Sequence, residues 1–284
     1  MSTPTPLPLP AHKTKHLQTL NYPIPNTPHI LTLTQSQSQP QSPASTGTTL
    51  WLSSQLLSYH LLTLFPRGRN RGRAIDLGAG TGLTSHILSY LGFRVCATDI
   101  AQIADGILCE NVSRNADLLA GIVGVGGTFP ISVRALDWTA LALPSPLSAL
   151  WDGGGDDGAG GGGEEEEEEE EEVEVIVMAD TFYKQDLVRP LILTIRALCI
   201  ASARCVRGGS GKEGKNRFPL VLVAVEVRDR GLLQCALEVA AREGFECRKV
   251  GDGRVRRGLE AAGVHWAKEE WDGGEIWRWA FKRV

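Results

Sequence analysis

The stretch AIDLGAGTGL, residues 74–83, decides the fold of this 284-residue chain. A short apolar run containing Asp76 leads into a turn with glycines at alternate positions, and a helix-compatible run begins at Leu83. This order of strand, tight glycine turn and helix start brings backbone N–H groups close to a nucleotide-like ligand. The spacing D-x-G-x-G-x-G differs from the G-x-G-x-x-G of dinucleotide dehydrogenases, whose third glycine lies inside the helix. An ordinary tight turn is the alternative interpretation.

Outward from this stretch, apolar strands alternate with helical segments. Strands are predicted at 73–77, 93–98, 131–135, 173–179 and 220–225, with a closing antiparallel pair at 245–250 and 276–282. Helices are predicted at 81–91, 103–115, 187–203 and 232–242, and an amphipathic helix at 50–62 precedes the first strand. This alternation predicts an α/β fold: a seven-stranded, mostly parallel sheet with an antiparallel last strand and helices on both faces.

Composition divides the chain into three parts. Residues 1–46 contain no acid and are rich in Pro, Ser, Thr and Gln, so a disordered N-terminal tail is predicted there. Residues 47–284 are predicted to form the folded domain, which carries an acidic Gly/Glu-rich insertion at 152–172. Subtracting the 12 acids of the insertion from the total of 33 leaves 21 acids against 29 Lys and Arg, so the rest of the chain is basic.

Several classes of protein are disfavoured by the sequence. No apolar run approaches the ~20 residues of a membrane span, and the N-terminus lacks the pattern of a secretory signal. The six cysteines contain no C-x-x-C pair, which favours reduced thiols in an intracellular protein and argues against a metal site. We therefore expect a monomer in the cytoplasm, and also in the nucleus, with no membrane association.

Acids stand at the ends of the second and third predicted strands. The second strand lies beside the first in a doubly wound sheet, so Asp99 could accept hydrogen bonds from the ribose hydroxyls of a nucleoside ligand. The alternative for Asp99 is a cap on the next helix. Asp137 could accept from the amine of the base while Trp138 covers the ring; a turn acid and a core aromatic residue are the alternatives.

A second group of candidates belongs to the opposite side of the glycine turn. Asp180 and Tyr183 follow the fourth strand, where an acid could hold a substrate nitrogen and aromatic residues could wall its channel; a helix cap and core packing are the alternatives. Trp51 could pack in the core or cover the ligand. Glu226, at the end of the fifth strand, could touch substrate or pair with Arg228.

Asn111 and Asn115 lie four residues apart, on one face of a predicted helix. Side-chain amides at this spacing can bond to the backbone of a neighbouring segment. We expect them to lock the helix to a neighbouring loop rather than to take part in catalysis.

These motifs, taken in order, resemble a known family. They are TGTTLW (46–51), AIDLGAGTGL (74–83), TDI (98–100), ENVSRN (110–115), LDW (136–138), ADTFY (179–183) and AVEVRD (224–229). The resemblance is to the seven-β-strand lysine methyltransferases of family 16, and it covers about residues 46–282. It implies a Rossmann-like class I methyltransferase fold with S-adenosyl-L-methionine as the cofactor.

The resemblance also implies a role for each candidate residue. Those expected to bind the cofactor are Trp51, Asp76, Gly78, Gly80, Gly82, Asp99, Asp137 and Trp138. Those expected to flank the target nitrogen are Asp180 and Tyr183. The expected reaction is in-line attack of a neutral lysine amine of a non-histone protein on the sulfonium methyl group. The acidic insertion has no general counterpart in the family; it could attract a lysine-rich target or have no role.

Two other functions stay open at this point. One is methylation of a small-molecule amine, and the other is a non-catalytic scaffold that binds the cofactor. Nucleic acid is not expected as a partner, because no N-P-P-[YF] motif follows the fourth strand and the acidic insertion opposes phosphate.

Overall fold

A computed structural model describes residues 8–36, 47–67, 71–123, 131–140, 143–145, 147–151, 173–208 and 218–282. Its strands form one seven-stranded sheet and one separate two-stranded hairpin. The strands are β1 (Thr19–Pro23), β2 (Ile30–Thr34), β3 (Arg73–Leu77), β4 (Arg94–Asp99), β5 (Ser132–Ala135), β6 (Val173–Ala179), β7 (Leu220–Glu226), β8 (Phe245–Lys249) and β9 (Gly274–Phe281).

The main sheet has the strand order β5-β4-β3-β6-β7-β9-β8. β9 is antiparallel to both of its neighbours, whereas the pairs among β5, β4, β3, β6 and β7 are parallel. The predicted seven-stranded sheet with an antiparallel last strand is therefore confirmed. Strand order reverses between β3 and β6, and in such sheets the crevice for a ligand opens at the carboxyl ends of the strands at that point.

Helices cover both faces of the sheet, as predicted. They are α1 (Leu52–Leu64), α2 (Leu83–Tyr90), α3 (Ala101–Ile103), α4 (Cys109–Arg114), α5 (Ala116–Val123), α6 (Gln185–Gly208), α7 (Arg230–Arg242) and α8 (Asp252–Ala261). One apolar core joins α1, α2, α5 and α8 to the sheet, and a second joins α6 and α7 to the other face. The helix predicted at 103–115 is interrupted by a π-helical turn, where Gly106 has a non-helical backbone.

The expectation of a disordered tail is wrong for residues 8–36. β1 and β2 pair antiparallel, and their inward side chains join the core of α1 and α2; these are Leu20, Tyr22, Leu31 and Leu33. The composition of this segment is polar and proline-rich, so its alternating apolar residues gave no clear signal. A two-stranded hairpin is marginally stable alone, and burial of these apolar side chains against α1 stabilises it. Residues 1–7 and 37–46 lie outside the described residues, as does the acidic insertion at 152–172.

The first helix is not amphipathic, contrary to its prediction. Its residues from Gln55 to Leu61 are all buried, because the N-terminal segment and α8 cover the side that the sheet does not. Gln55 accepts a hydrogen bond from the backbone N–H of Ala11 at 2.8 Å. Gly258 of α8 lies so close that an added Cβ would be 3.3 Å from the carbonyl oxygen of Tyr59. A helix covered on all sides needs no polar face.

Asn111 and Asn115 lock their helix to a neighbouring segment, as expected, but that segment is strand β2. Asn111 accepts from the backbone N–H of Thr34 at 2.7 Å and donates to its carbonyl at 3.1 Å. Asn115 bonds in the same way to Thr32, at 2.9 Å in both directions. Asn111 also donates to the carbonyl of Thr81 at 3.0 Å, which ties the hairpin to the glycine turn.

Within the described ranges, no helix is long and apolar enough to cross a membrane. The same part of the chain contains no group of three or more His, Cys, Asp or Glu residues that could hold a metal ion.

Candidate functional site

One cavity lies at the carboxyl ends of the parallel strands, where the strand order reverses. Eight of the ten predicted site residues line it: Trp51, Gly78, Gly80, Asp99, Asp137, Trp138, Asp180 and Tyr183. The other two, Asp76 and Gly82, lie behind the glycine turn, where Asp76 is buried in β3 and Gly82 precedes α2. Phe182 does not wall the cavity but stacks on Trp279 in the second core. The fold therefore brings eight of the predicted residues to one cavity, and their binding and catalytic roles stay predictions.

The glycine turn adopts a backbone that other residues rarely adopt. Gly78, Gly80 and Gly82 have φ values of +71°, +56° and +84°. A Cβ on Gly80 would also lie 3.1 Å from the carbonyl oxygen of Gly47. The N–H of Gly80 donates to the carboxylate of Asp99 at 2.9 Å, so the end of β4 holds the turn in place. The sequence selects glycine at these positions because left-handed backbone and close approach coincide there.

The buried Asp76 and the partly buried Asp99 flank the turn, and the pKa of each carboxyl group is raised. Burial raises the pKa of Asp76 to about 7, with the charge of Asp99 adding to the effect and a hydrogen bond from Ser85, at 2.6 Å, opposing it. Burial likewise raises the pKa of Asp99 to about 6, against hydrogen bonds from the N–H groups of Gly80 and Ile100. A cation or a ribose hydroxyl that enters this cavity would stabilise the carboxylate form of Asp99, which lines it.

Asp137 and Trp138 have different surroundings, and Asp137 follows its alternative interpretation as a turn acid. Asp137 is exposed and accepts from the N–H and the hydroxyl of Thr139, at 2.8 and 2.6 Å, which lowers its pKa. That is the geometry of a turn acid. Trp138 instead covers the glycine turn, because a Cβ on Gly78 would lie 3.2 Å from its ring.

Two polar atoms in the wall of the cavity lack partners. Among the described residues, the indole N–H of Trp138 and the hydroxyl of Thr181 are buried without a hydrogen bond, and both residues line the cavity. Buried polar groups in proteins are nearly always satisfied by protein, water or ligand. These two atoms, the carboxyl group of Asp99 and the glycine turn together fit a polar ligand with a nucleoside part.

Asp180 is held firmly by its neighbours. Its backbone lies in the left-handed region, with φ +59°, which Asp tolerates better than most residues. Burial raises the pKa of its carboxyl group, and the positive charge of Arg228 opposes that rise. The carboxylate accepts from the guanidinium of Arg228 and, at 3.2 Å, from the N–H of Glu226.

Arg228 therefore links three residues that the sequence had placed separately. It pairs with Asp180 and, at 3.3 Å, with Glu226; the second pair is one of the two alternatives predicted for Glu226. Its guanidinium carbon lies 4.6 Å from the ring centroid of Trp51, a cation–π distance. The side-chain ammonium of Lys15 lies 3.8 Å from the same centroid. Sequence reasoning missed both roles, because no local signal connects Lys15 or Arg228 to a tryptophan so far away in the chain.

Comparisons with known proteins give partial matches. No protein-family profile matches the chain. The protein-lysine methyltransferase METTL21E of Mus musculus is 40% identical over 73 residues, which are 25% of this chain and 30% of the mouse protein. Its counterpart in Bos taurus is 40% identical over 70 residues, which are 24% of each chain. The match thus spans less than a third of the length of these relatives.

Among solved structures, a TehB-like SAM-dependent methyltransferase from Corynebacterium glutamicum has a TM-score of 0.41 and 15% identity, with 85% of this chain and 92% of that chain covered. A ribosomal protein L11 methylase from Lactobacillus delbrueckii subsp. bulgaricus has a TM-score of 0.41 and 15% identity, with 92% and 100% covered.

Proposed function

We propose that this protein is an S-adenosyl-L-methionine-dependent N-methyltransferase whose acceptor is a lysine side chain of a non-histone protein. One observation carries the proposal. A left-handed glycine turn, bordered by the partly buried Asp99, lines one side of the cavity, and the buried carboxylate of Asp180 lines the other side of the point where strand order reverses. The partial matches to protein-lysine methyltransferases support the choice of acceptor.

The residues on the side of β3, β4 and β5 would hold the cofactor. The glycine turn would receive its amino acid part and Asp99 its ribose hydroxyls, while Trp138 would cover its adenine. The unpartnered indole N–H of Trp138 and hydroxyl of Thr181 offer two further hydrogen bonds. When bound, S-adenosyl-L-methionine supplies an electrophilic methyl group on a positively charged sulfur, a charge that suits the acidic wall of the cavity.

The residues on the side of β6 and β7 would prepare the acceptor. A free lysine has a pKa of ~10.4, so only about one in two thousand is neutral at pH 7, a cost of roughly 4–5 kcal/mol. The positive charge of Arg228 favours the neutral amine. Asp180 would orient the amine rather than act as a strong base, since its carboxylate is already engaged, and the proton leaves to water.

The test uses the purified protein, S-adenosyl-L-methionine with a labelled methyl group, and a cell lysate. The proposal expects label in a protein band, on lysine, and no label with the Asp180→Asn variant. Label confined to the small-molecule fraction would replace the lysine acceptor by a small amine. Cofactor binding measured by calorimetry without any transfer would instead indicate a non-catalytic scaffold.

A further inference from the structure

The acceptor side of the cavity is the side formed by Trp51, β6 and β7. Lys15, a lysine of the chain itself, lies beside it. Lys15 follows a short 3₁₀ turn, Ala11–Lys13, and its half-buried side chain extends to Trp51. The distance from its ammonium nitrogen to the ring centroid is 3.8 Å, and the ring of Trp51 lines the cavity. An ammonium at this distance from an indole is held by the ring's negative face.

The turn that presents Lys15 is fixed on both sides. The side-chain amide of the buried Gln35 donates to the carbonyl of Thr14 at 3.0 Å and to that of Leu17 at 2.9 Å. The N–H of Ala11 donates to α1 at 2.8 Å. Since ordering a backbone segment costs roughly 1–2 kcal/mol per residue, a lysine delivered by a preformed turn approaches the site without that cost.

The charged groups that surround the Lys15 ammonium belong to the acceptor side of the cavity. Burial lowers the pKa of its ammonium; Glu226 and Asp180 oppose this effect, and Arg228 adds to it. These are the groups that a lysine from another protein would meet. Lys13, two residues earlier, instead pairs with Glu270, away from the cavity.

We propose that Lys15 is itself a methyl acceptor, an intramolecular modification site on the acceptor side of the cavity. The inference rests on the proposed function. In the transfer, the Lys15 ammonium first loses one proton to water; the lone pair of the neutral amine then forms a bond to the methyl carbon, and the carbon–sulfur bond breaks with its electron pair going to sulfur. The product keeps its positive charge, and a methylated ammonium binds an aromatic face well, so Trp51 can hold it in place.

The main test incubates the full chain with S-adenosyl-L-methionine carrying a deuterated methyl group. Mass spectrometry of chymotryptic peptides then locates the added mass, since methylation blocks cleavage by trypsin at lysine. We expect deuterated methyl on Lys15 in the wild-type protein and in the Lys13→Arg control, and none on this peptide in Lys15→Arg or Asp180→Asn. The modified fraction should not depend on protein concentration. A dependence on concentration, or label on Lys13 instead, overturns the proposal.

A second measurement needs no cofactor. Competitive acylation of the ligand-free protein follows the reactivity of Lys15 with pH in the folded chain and in the urea-unfolded chain, and we expect this reactivity to rise at a lower pH in the folded chain. Equal profiles would contradict the environment described for Lys15. The experiment with labelled lysate distinguishes this inference from the proposed function. Labelled lysate proteins with unmodified Lys15 overturn this inference alone. Absence of label from both the lysate proteins and Lys15 overturns the proposed function as well.

Discussion

The two sides of the cavity differ in the charges that surround their carboxyl groups. On the donor side, formed by the glycine turn with β4 and β5, the hydrogen-bond partners of Asp76 and Asp99 among the described residues are neutral groups. Burial raises the pKa values of these two carboxyl groups to about 7 and about 6. On the acceptor side, formed by Trp51, β6 and β7, the buried Asp180 already has a cationic partner in Arg228. A cation that binds the donor side would therefore meet Asp99 without a cationic partner, whereas a cation that binds Asp180 must displace Arg228.

The largest effect is expected from removing the charge of Asp180. Asn tolerates the left-handed backbone at this position and keeps the shape, so Asp180→Asn tests the carboxylate alone. We expect methyl transfer to fall by about 10³-fold, within the range for positioned catalytic groups, while the Kd for S-adenosyl-L-methionine changes less than about twofold. Single-turnover kinetics and calorimetry measure the two quantities. A loss of cofactor affinity equal to the loss of rate would place Asp180 on the donor side instead.

The next effect concerns Asp76 and pH. The pKa of Asp76 is about 7 in the folded state and 3.8 for an ordinary Asp, so the folded state binds this proton more tightly. The stability that the proton contributes below pH 4 is therefore lost as pH rises to 7. At ~1.4 kcal/mol per pKa unit, the loss reaches up to about 4 kcal/mol. Asp76→Asn should therefore be more stable than wild type at pH 8 and equal to it at pH 4. Urea unfolding at both pH values measures this; an equal difference at both would contradict the assignment.

Asp99→Ala should act on the cofactor and not on the chemistry. The substitution removes the carboxylate, and with it the proposed hydrogen bonds from ribose and the hydrogen bond from the N–H of Gly80. Hydrogen bonds to a charged group contribute about 1.5–3 kcal/mol, so the Kd for S-adenosyl-L-methionine should rise by roughly 10- to 100-fold, with kcat at saturating cofactor little changed. Calorimetry gives the Kd, and Asp180→Asn in the same assay is the matched control. Unchanged affinity would remove Asp99 from the ribose site.

The two sides also differ in how much of them the sequence predicts. The donor side comes from one contiguous motif, 74–83, and from acids at the ends of neighbouring strands, so local pattern and the strand-end rule suffice. β3 and β6 begin and end where predicted, because runs buried on both faces are nearly all apolar. The acceptor side is assembled by packing between distant segments. Lys15 and Arg228 meet at Trp51 only because the N-terminal hairpin folds onto α1, and that hairpin was hidden by its polar composition.

The smallest effect is expected from Arg228, and it decides whether the acceptor side exchanges cations. In Arg228→Gln, Asp180 loses its partner, so the ammonium of a lysine substrate should bind better, and KM should fall by about three- to fivefold, as for partly exposed ion pairs worth ~1 kcal/mol. The same change removes a positive charge that favours the neutral amine, so the rise of kcat with pH should move to higher pH.

Arg230 provides the control for Arg228→Gln. It lies two residues further along the chain and pairs with Glu275 at 2.8 Å, so Arg230→Gln removes an equal charge and should alter neither KM nor the pH profile. If Arg228→Gln raised KM instead, Arg228 would hold Asp180 in position for the substrate rather than compete with it. The acceptor side would then differ from the donor side because Arg228 fixes the position of the Asp180 carboxylate, and not because a substrate cation displaces Arg228.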